Sequence, residues 1–437
     1  MTIKVAYDIS ILGYYFHRFD CKTGIFRVIE EVLTELIKFD DLDITLVGLC
    51  GDDPMTASLR SYFYAQSQKE DVEYKFASTF ASRLGLTNLY KNLFNIYFSE
   101  NFQKLPKISA RSVLVRGGLR LLSYAQHLDV HRTFDNKSFD LLHSPYLQLP
   151  PTSLTSDIPR LLTIYDLIPV LTPEWVVPEL VTSFQRILAS ISKERDWITC
   201  ISEYTKQEFC EYTGMPPDRV FVTPLAAAKH FYPVKDKQFI KLVKQKYNIL
   251  EGKYFLSLAA LQPRKNLTHL IKAFFNLLQE QPNIDTNLVL VGSKGWMYEE
   301  IFAVASSSDR FRSRVIFTGY VPDQDLSAIY SGATAFVYPS LYEGFGLPPL
   351  EAMQCGVPVI TSNTTSLPEV VGDAGITIEP RDEDALCQAM LNVLTDSPLC
   401  QQLSQKGLER AKQFSWKKCA EETMEIYKRA ISDSSKV

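Results

Sequence analysis

Short apolar runs followed by helical patterns recur along this chain, and that rhythm limits the fold more than any other feature. In the first half they read IKVAYDIS, DITLVGL, FDLLHS, RLLTIYD, WITCIS and RVFVTP; in the second, YFLSLAAL, NLVLVGS, VIFTGY, AFVYPS, PVITS and GITIEP. A strand that is apolar on both faces must be covered on both, and parallel strands joined by crossover helices achieve this. The chain is therefore expected to be α/β, with two doubly wound, Rossmann-like domains. Its 437 residues also exceed what one compact core accommodates. Regular patterning lapses in PLAAAKHFYPVKDK and then resumes with a helix. A first domain over 1–230 and a second over 231–414 follow, with an amphipathic tail over 415–437 that can belong to the second or cross back to the first.

Charge and composition narrow the function. A net charge of -4 gives no reason to expect nucleic acid as a partner. The cysteines (Cys21, Cys50, Cys200, Cys210, Cys355, Cys387, Cys400 and Cys419) form no CxxC pair, which favours free thiols in a reducing cytoplasm. The N-terminal MTIKVAYDIS runs directly into a strand pattern, so no signal peptide is expected. No apolar run reaches the ~18 residues that span a bilayer, and a cytoplasmic protein is the expectation. One region breaks the α/β rhythm: over 83–120, Arg83, Lys91, Lys104, Lys107, Arg111, Arg116 and Arg120 face a single acid, Glu100, among Leu, Tyr and Phe. Such a segment can rest peripherally on the inner face of an anionic membrane, bind a phosphate-bearing acceptor, or simply be a solvated helix face.

The stretch YPSLYEGFGLPPLEAMQCG carries the chemistry. It follows the strand AFVYPS, so its Gly-rich turn falls at the carboxyl end of a parallel strand, where open α/β sheets bind ligands. Pro348 and Pro349 suit the first turn of a helix, where a missing N–H costs nothing. The amides of Gly344, Phe345, Gly346 and Leu347 are then left free at a helix N-terminus, a favourable place for a diphosphate. Glu343 lies before the turn and Glu351 in the first turn of the helix, two carboxylates placed to accept sugar hydroxyls on either side. Acids near a helix start also suit the helix dipole, which accounts for Glu351 but not for the glycines and Glu343. After the strand YFLSLAAL, the stretch QPRKNLTHLIKAF puts Arg264 and Lys265 at another strand-to-helix turn, where adjacent cations can neutralise a diphosphate without a metal.

EGFGLPPLEAMQCGVPVI resembles the Glu-x7-Glu signature of the retaining glycosyltransferases of family 4, and ALQPRKNLTHLIKAF resembles their diphosphate-binding turn. GYVPDQDLSAIYSGATAFVYPS is similar to the family's base-binding loop, helix and strand. The likeness covers about Tyr254 to Trp416; in the first half it is looser, with KTGIFRVIEEVL resembling the glycine loop and LLTIYDLIPV the His-Asp loop. The resemblance implies the GT-B architecture: two Rossmann-like domains facing a central cleft, the first for the acceptor and the second for a nucleotide-sugar. It implies that Glu343 contacts the donor sugar, Glu351 the ribose, Arg264 and Lys265 the diphosphate, and Tyr320 and Val321 the base, with Gly24 near the phosphates. Tyr165 and Asp166 occupy the His-Asp positions. The family usually has His where this chain has Tyr165, so a phenol replaces an imidazole there, and Asp166 either orients the acceptor, stabilises charge at the anomeric carbon, or caps a turn before Pro169.

The activity so implied is retaining transfer of a hexose from a nucleoside diphosphate sugar, UDP-glucose or another UDP-sugar first and GDP-mannose second. The acceptor is a glycan or lipid-linked oligosaccharide in surface polysaccharide synthesis. No cofactor or metal is expected. DLD at Asp41, DQD at Asp323 and DED at Asp382 match a metal-binding DxD only by chance and read as a turn and two helix starts. His143, at a strand end in FDLLHSPY, is a structural residue or a lining of the cleft. No GxGxxG occurs, which disfavours an NAD(P) oxidoreductase. A nucleotide-sugar epimerase, or a degenerate transferase serving as a nucleotide-binding subunit, remains open.

Overall fold

The computed structural model describes residues 2–15, 24–49, 54–67, 74–82, 85–98, 113, 117 and 130–434. The strands are β1 (Ile3–Asp8), β2 (Leu42–Val47), β3 (Lys75–Phe76), β4 (Phe80–Ser82), β5 (Val130–Arg132), β6 (Leu141–Ser144), β7 (Arg160–Ile164), β8 (Trp197–Cys200) and β9 (Val220–Val222) in the first half. In the second half they are β10 (Lys253–Leu258), β11 (Thr286–Val291), β12 (Val315–Gly319), β13 (Ala335–Tyr338), β14 (Val359–Ser362) and β15 (Ile376–Ile378). One sheet runs β3-β2-β1-β6-β7-β8-β9 and the other β12-β11-β10-β13-β14-β15. Neighbours in both sheets pair in parallel, for example Phe255 with Leu288 and Phe336 with Val359. The apolar runs predict this outcome: every residue of β7 (RLLTI) and β11 (TNLVLV) is buried, which only a sheet covered on both faces allows. The separate antiparallel pair β4–β5 and the edge strand β3 were not legible, since two or three residues carry no period.

In both sheets the strand order reverses once, between β1 and β6 in the first and between β10 and β13 in the second. Loops leaving the carboxyl ends of strands at such a switch point diverge and open a crevice, so the topology alone fixes where a ligand can sit. Buried apolar side chains run continuously from Val5 and Leu161 in the first sheet to Phe336 and Leu350 in the second unit, so the two halves are packed together. The linker between them is pinned to the second: the Gln354 amide donates to Ala228 O at 2.9 Å and Phe231 O at 2.7 Å, and Ser327 Oγ donates to His230 O at 2.6 Å.

The final helix, Trp416–Ser434, returns to the first unit and packs on the helix Gly24–Leu36 and on β6. There the reading of His143 as a lining of the cleft is corrected. Its ring bridges Tyr427 OH (2.7 Å from Nδ1) and Thr163 Oγ1 (2.9 Å from Nε2) in the interior. Burial lowers its pKa to about 3, so it is a neutral imidazole fastening the last helix to β6 and β7. The DxD matches resolve as read: Asp41 precedes β2, Asp323 opens the helix Asp323–Ser331, and Asp382 caps the helix Glu383–Thr395 by accepting from Ala385 N at 2.9 Å. Of the basic stretch over 83–120, Arg83, Lys104, Lys107, Arg111, Arg116 and Arg120 lie outside the described residues, and Lys91 sits over the Tyr62 ring at 4.7 Å. Among the described residues no helix is long and apolar enough to cross a membrane.

Candidate active site

The loops after β10 and β13 flank the switch point of the second sheet and are tied to each other. Leu341 N donates to Arg264 O at 2.9 Å, and Ser340 Oγ lies 3.2 Å from the same carbonyl. That junction brings the adjacent Arg264 and Lys265 against Glu343, which is far from them in sequence. Lys265 Nζ lies 2.6 Å from Glu343 Oε1 and Arg264 NH1 2.9 Å from Oε2. Tyr338 OH (2.9 Å) and Ser340 Oγ (2.6 Å) also donate to Oε1. Arg264 NH1 further donates to the Tyr342 carbonyl.

The cluster holds two cations and one carboxylate, and its electrostatics follow from that count. Burial pushes Glu343 up, but the charges of Arg264 and Lys265 outweigh it and hold the carboxyl down at about 2. Lys265 goes the other way for an ammonium: burial, and then repulsion from Arg264, bring it down to about 8 against the pull of Glu343. The two directions are compatible, because one carboxylate cannot compensate two buried cations. Within the second unit the three side chains carry a surplus positive charge, which the Asp166 carboxyl of the first unit faces across the crevice and which suits an incoming diphosphate.

Glu343 opens the turn Gly344-Phe345-Gly346 into the helix Leu347–Gln354. Gly346 adopts φ +130°, a region open to glycine and strained for any side chain. The amides of Gly344, Phe345 and Gly346 find no acceptor among the described residues, as the sequence predicts for an anion-binding helix start. Ser366 Oγ braces the turn from beneath by donating to Glu343 O (2.8 Å) and Phe345 O (2.6 Å). Glu351 is the fifth residue of this helix, so it stands in the second turn and not the first. It is buried, with Tyr330 OH 3.1 Å from Oε2 and Arg27 NH1 3.2 Å from Oε1. Burial raises its pKa to about 7, against the lowering by Arg27 and the Tyr330 hydrogen bond.

The first unit meets this turn through its own loop after β7. A Cβ placed on Gly344 would stand 2.0 Å from Tyr165 O and 3.0 Å from Asp166 Cβ, so only glycine permits the approach. Thr205 Oγ1 lies 3.2 Å from Gly344 O and 3.4 Å from Tyr165 O, bridging the two segments of the contact. Tyr342 OH donates to Glu208, and Glu369 accepts from Glu203 N (2.9 Å) and Tyr204 N (2.6 Å) at the start of the helix Glu203–Thr213. Asp166 Oδ1 accepts from Ile168 N at 3.1 Å, so it does cap its turn. Its carboxyl is raised by burial, with Arg264 and the Ile168 N–H opposing, and it feels Glu343 and Lys265 as well. The turn cap and a place in the cleft therefore coexist in one residue.

Tyr165 requires a correction. Its ring is buried in the first unit, edge-on to Tyr146, and lines a small cavity with Tyr7, His143 and Thr163. The phenol is thus a core side chain, and what Tyr165 presents to Gly344 is its carbonyl. Gly24 begins the helix Gly24–Leu36, three residues before Arg27, with open space around its Cα. Tyr320 and Val321 form the loop between β12 and the next helix; Tyr320 is 69% exposed and Val321 is buried. Sequence reading passed over Arg27, Tyr338, Ser340, Thr205 and Glu369. Ser340 and Tyr338 stand in the same YPSLYE run as Glu343 and were within reach; Thr205 and Glu369 act only through the packing of one unit on the other.

Two facing Rossmann-like units, with cations and paired glutamates at the switch point of one and a strand-end loop of the other against them, make a GT-B glycosyltransferase. Residues 239–410 match the family model "Glycosyl transferases group 1". The chain is 36% identical over 289 residues to the O-antigen chain mannosyltransferase B of Escherichia coli, covering 66% of this chain and 74% of that one. It is 36% identical over 273 residues to the serotype-specific mannosyltransferase WbdA of Escherichia coli, covering 62% of this chain but only 33% of that much longer protein. The crystal structure of a glycosyltransferase from Rickettsia africae superposes with a TM-score of 0.63 at 14% identity, over 98% of both chains. The chain belongs to the group 1 glycosyl transferases.

Proposed function

We propose that this protein is a retaining mannosyltransferase that moves mannose from GDP-mannose to a hydroxyl of a growing surface glycan, free or lipid-linked. The observation that carries the reading is the surplus-positive cluster of Arg264, Lys265 and Glu343, set at a switch point and facing the Tyr165–Asp166 loop across the cleft. The donor expectation shifts accordingly: UDP-glucose gives way to GDP-mannose because the relatives at 36% identity are named mannosyltransferases. Arg264 and Lys265 neutralise the diphosphate, the free amides of Gly344 to Gly346 bind its oxygens, Glu351 takes the ribose, and the exposed ring of Tyr320 with the Val321 backbone receives the base.

In the transfer, the bond from the anomeric carbon to the phosphate oxygen breaks with its electron pair leaving on the phosphate. The acceptor oxygen bonds to the same face, and its proton passes to that departing phosphate. Glu343 orients the mannose hydroxyls, the Tyr165 carbonyl and Asp166 stabilise positive charge at the anomeric carbon, and the two cations take up the charge of the leaving group. Activity then needs no divalent metal and survives EDTA. Melting curves with GDP, UDP and ADP test the donor, because a nucleotide that binds only the folded chain raises its melting temperature. GDP is expected to give the largest shift, and a shift with UDP alone would overturn the mannose assignment. The anomeric coupling in the product's NMR spectrum decides retention against inversion. Conversion of the nucleotide-sugar without an acceptor would instead indicate an epimerase.

A further inference from the structure

Arg27 holds a place in the structure that neither the sequence reading nor the reaction above uses. It stands in the first turn of the helix Gly24–Leu36, in the first unit, and points across the cleft. One guanidinium nitrogen lies 2.6 Å from Asp323 Oδ2 and the other 3.2 Å from Glu351 Oε1, both in the second unit. Its planar head also lies over the ring of Phe231 in the linker, at 5.9 Å. Three segments that meet only when the units are together thus fix one cation on the carboxylate assigned to the ribose.

We propose that Arg27 is a positioning residue that couples closure of the cleft to donor capture, by holding Glu351 charged and oriented for the ribose only while the two units are together. The inference rests on the nucleotide-sugar reading of the site. A carboxylate is a pure acceptor when ionised, and with Arg27 and Tyr330 each occupying one direction at its oxygens it keeps others for ribose hydroxyls. The groups that face Glu351 are Arg27 from the first unit, Tyr330 and Asp323 from the helix Asp323–Ser331, Tyr338 from β13 and Cys355 after its own helix, with His230 of the linker 3.8 Å behind Asp323. Among the described residues, Arg27 is the only cation in that first ring of neighbours. Burial brings Glu351 up to about 7, so at neutral pH its charge depends on Arg27 staying near. The sign follows: the carboxylate is lost as pH falls through that value, and removing Arg27 moves the loss to higher pH.

The test is calorimetric titration of GDP and UDP, from about pH 6 to about pH 8, into wild type, Arg27→Met, Arg27→Gln, Arg27→Lys and Glu351→Gln. Wild-type affinity is expected to fall as pH drops through about 7. Arg27→Met should weaken binding at neutral pH roughly tenfold, the scale of one hydrogen bond to a charged group, and shift that fall upward in pH; Arg27→Lys should restore most of both. Glu351→Gln should erase the pH step and make Arg27→Met inconsequential, which separates Glu351 from a titrating His230. Arg27→Gln keeps the side chain's length without its charge and stands in should Arg27→Met fail to fold. Wild-type affinity and an unmoved pH step in the Arg27 variants overturn this proposal alone. A wild type that binds neither nucleotide overturns the nucleotide-sugar reading and this proposal with it.

Discussion

Glu343 has two cationic partners, Arg264 and Lys265, and that is what makes it testable. Glu343→Gln keeps the shape but leaves Arg264 and Lys265 without a counter-charge, an arrangement that costs about 3–5 kcal/mol when a buried pair is broken from one side. The variant should melt lower, still bind GDP because its cations are freer, and lose transfer by at least about 10²-fold; a fully active Glu343→Gln would remove this residue from the reaction. In wild type the stability due to Glu343 is fully present above the ordinary carboxylate value of 4.5 and is lost as pH falls toward about 2. Lys265 sets the other limb. With its pKa lowered to about 8 it loses its charge above that pH in the free protein, so kcat/KM for the donor should decline through about pH 8. Lys265→Arg, which stays charged, should abolish the decline, and an unchanged alkaline limb in that variant would assign it elsewhere. Tyr165 and Asp166 separate in the same way. Tyr165→Phe removes a phenol that sits in the core away from the reacting loop, so kcat should change by less than about 1 kcal/mol in barrier. Asp166→Asn, at the meeting of the two units, should lower kcat far more at an unchanged melting temperature, and equal effects on kcat would deny the carboxylate its role.

At the scale of elements, the turn between β13 and the helix Leu347–Gln354 is the piece on which everything else is hung. Gly344 is in contact with the other unit, and its replacement by Ala drives a methyl into the Tyr165 carbonyl. Gly344→Ala should therefore leave the second unit folded but hold the cleft apart. An error of about 1 Å in positioning costs about 10²-fold in rate, so kcat/KM should fall by that order with little change in melting; normal kinetics would show that the close contact is dispensable. The strands, both glutamates and the Arg264–Lys265 turn were legible because each is written locally: apolar runs bounded by turns, glycines before prolines, charges at strand ends. What was not legible depended on distance. Nothing local marks that Tyr165 turns inward, since a strand-end residue can point either way and only the packing of Tyr7, Tyr146 and the final helix decides it. His143 was ambiguous for the same reason until Tyr427, at the far end of the chain, proved to be its partner.

The whole molecule is two α/β units meeting at a shared crevice, joined by a continuous apolar core and by polar contacts across the site: Arg27 to Asp323 and Glu351 on one side, Glu369 on the helix start at Glu203 on the other. Charges of the second unit are thus met by a side chain of the first, Arg27 on Glu351 and Asp323. The central claim is that this crevice transfers mannose and that Glu343 is indispensable to it. The most direct measurement is the initial rate of radiolabelled mannose transfer from GDP-mannose to a mannose-terminated lipid-linked glycan, with UDP-glucose run in parallel, for wild type and for Glu343→Gln. Transfer from GDP-mannose by wild type, none from UDP-glucose, and loss in the variant with GDP binding retained is the predicted result. Glucose transfer in place of mannose, or a variant as fast as wild type, would contradict it.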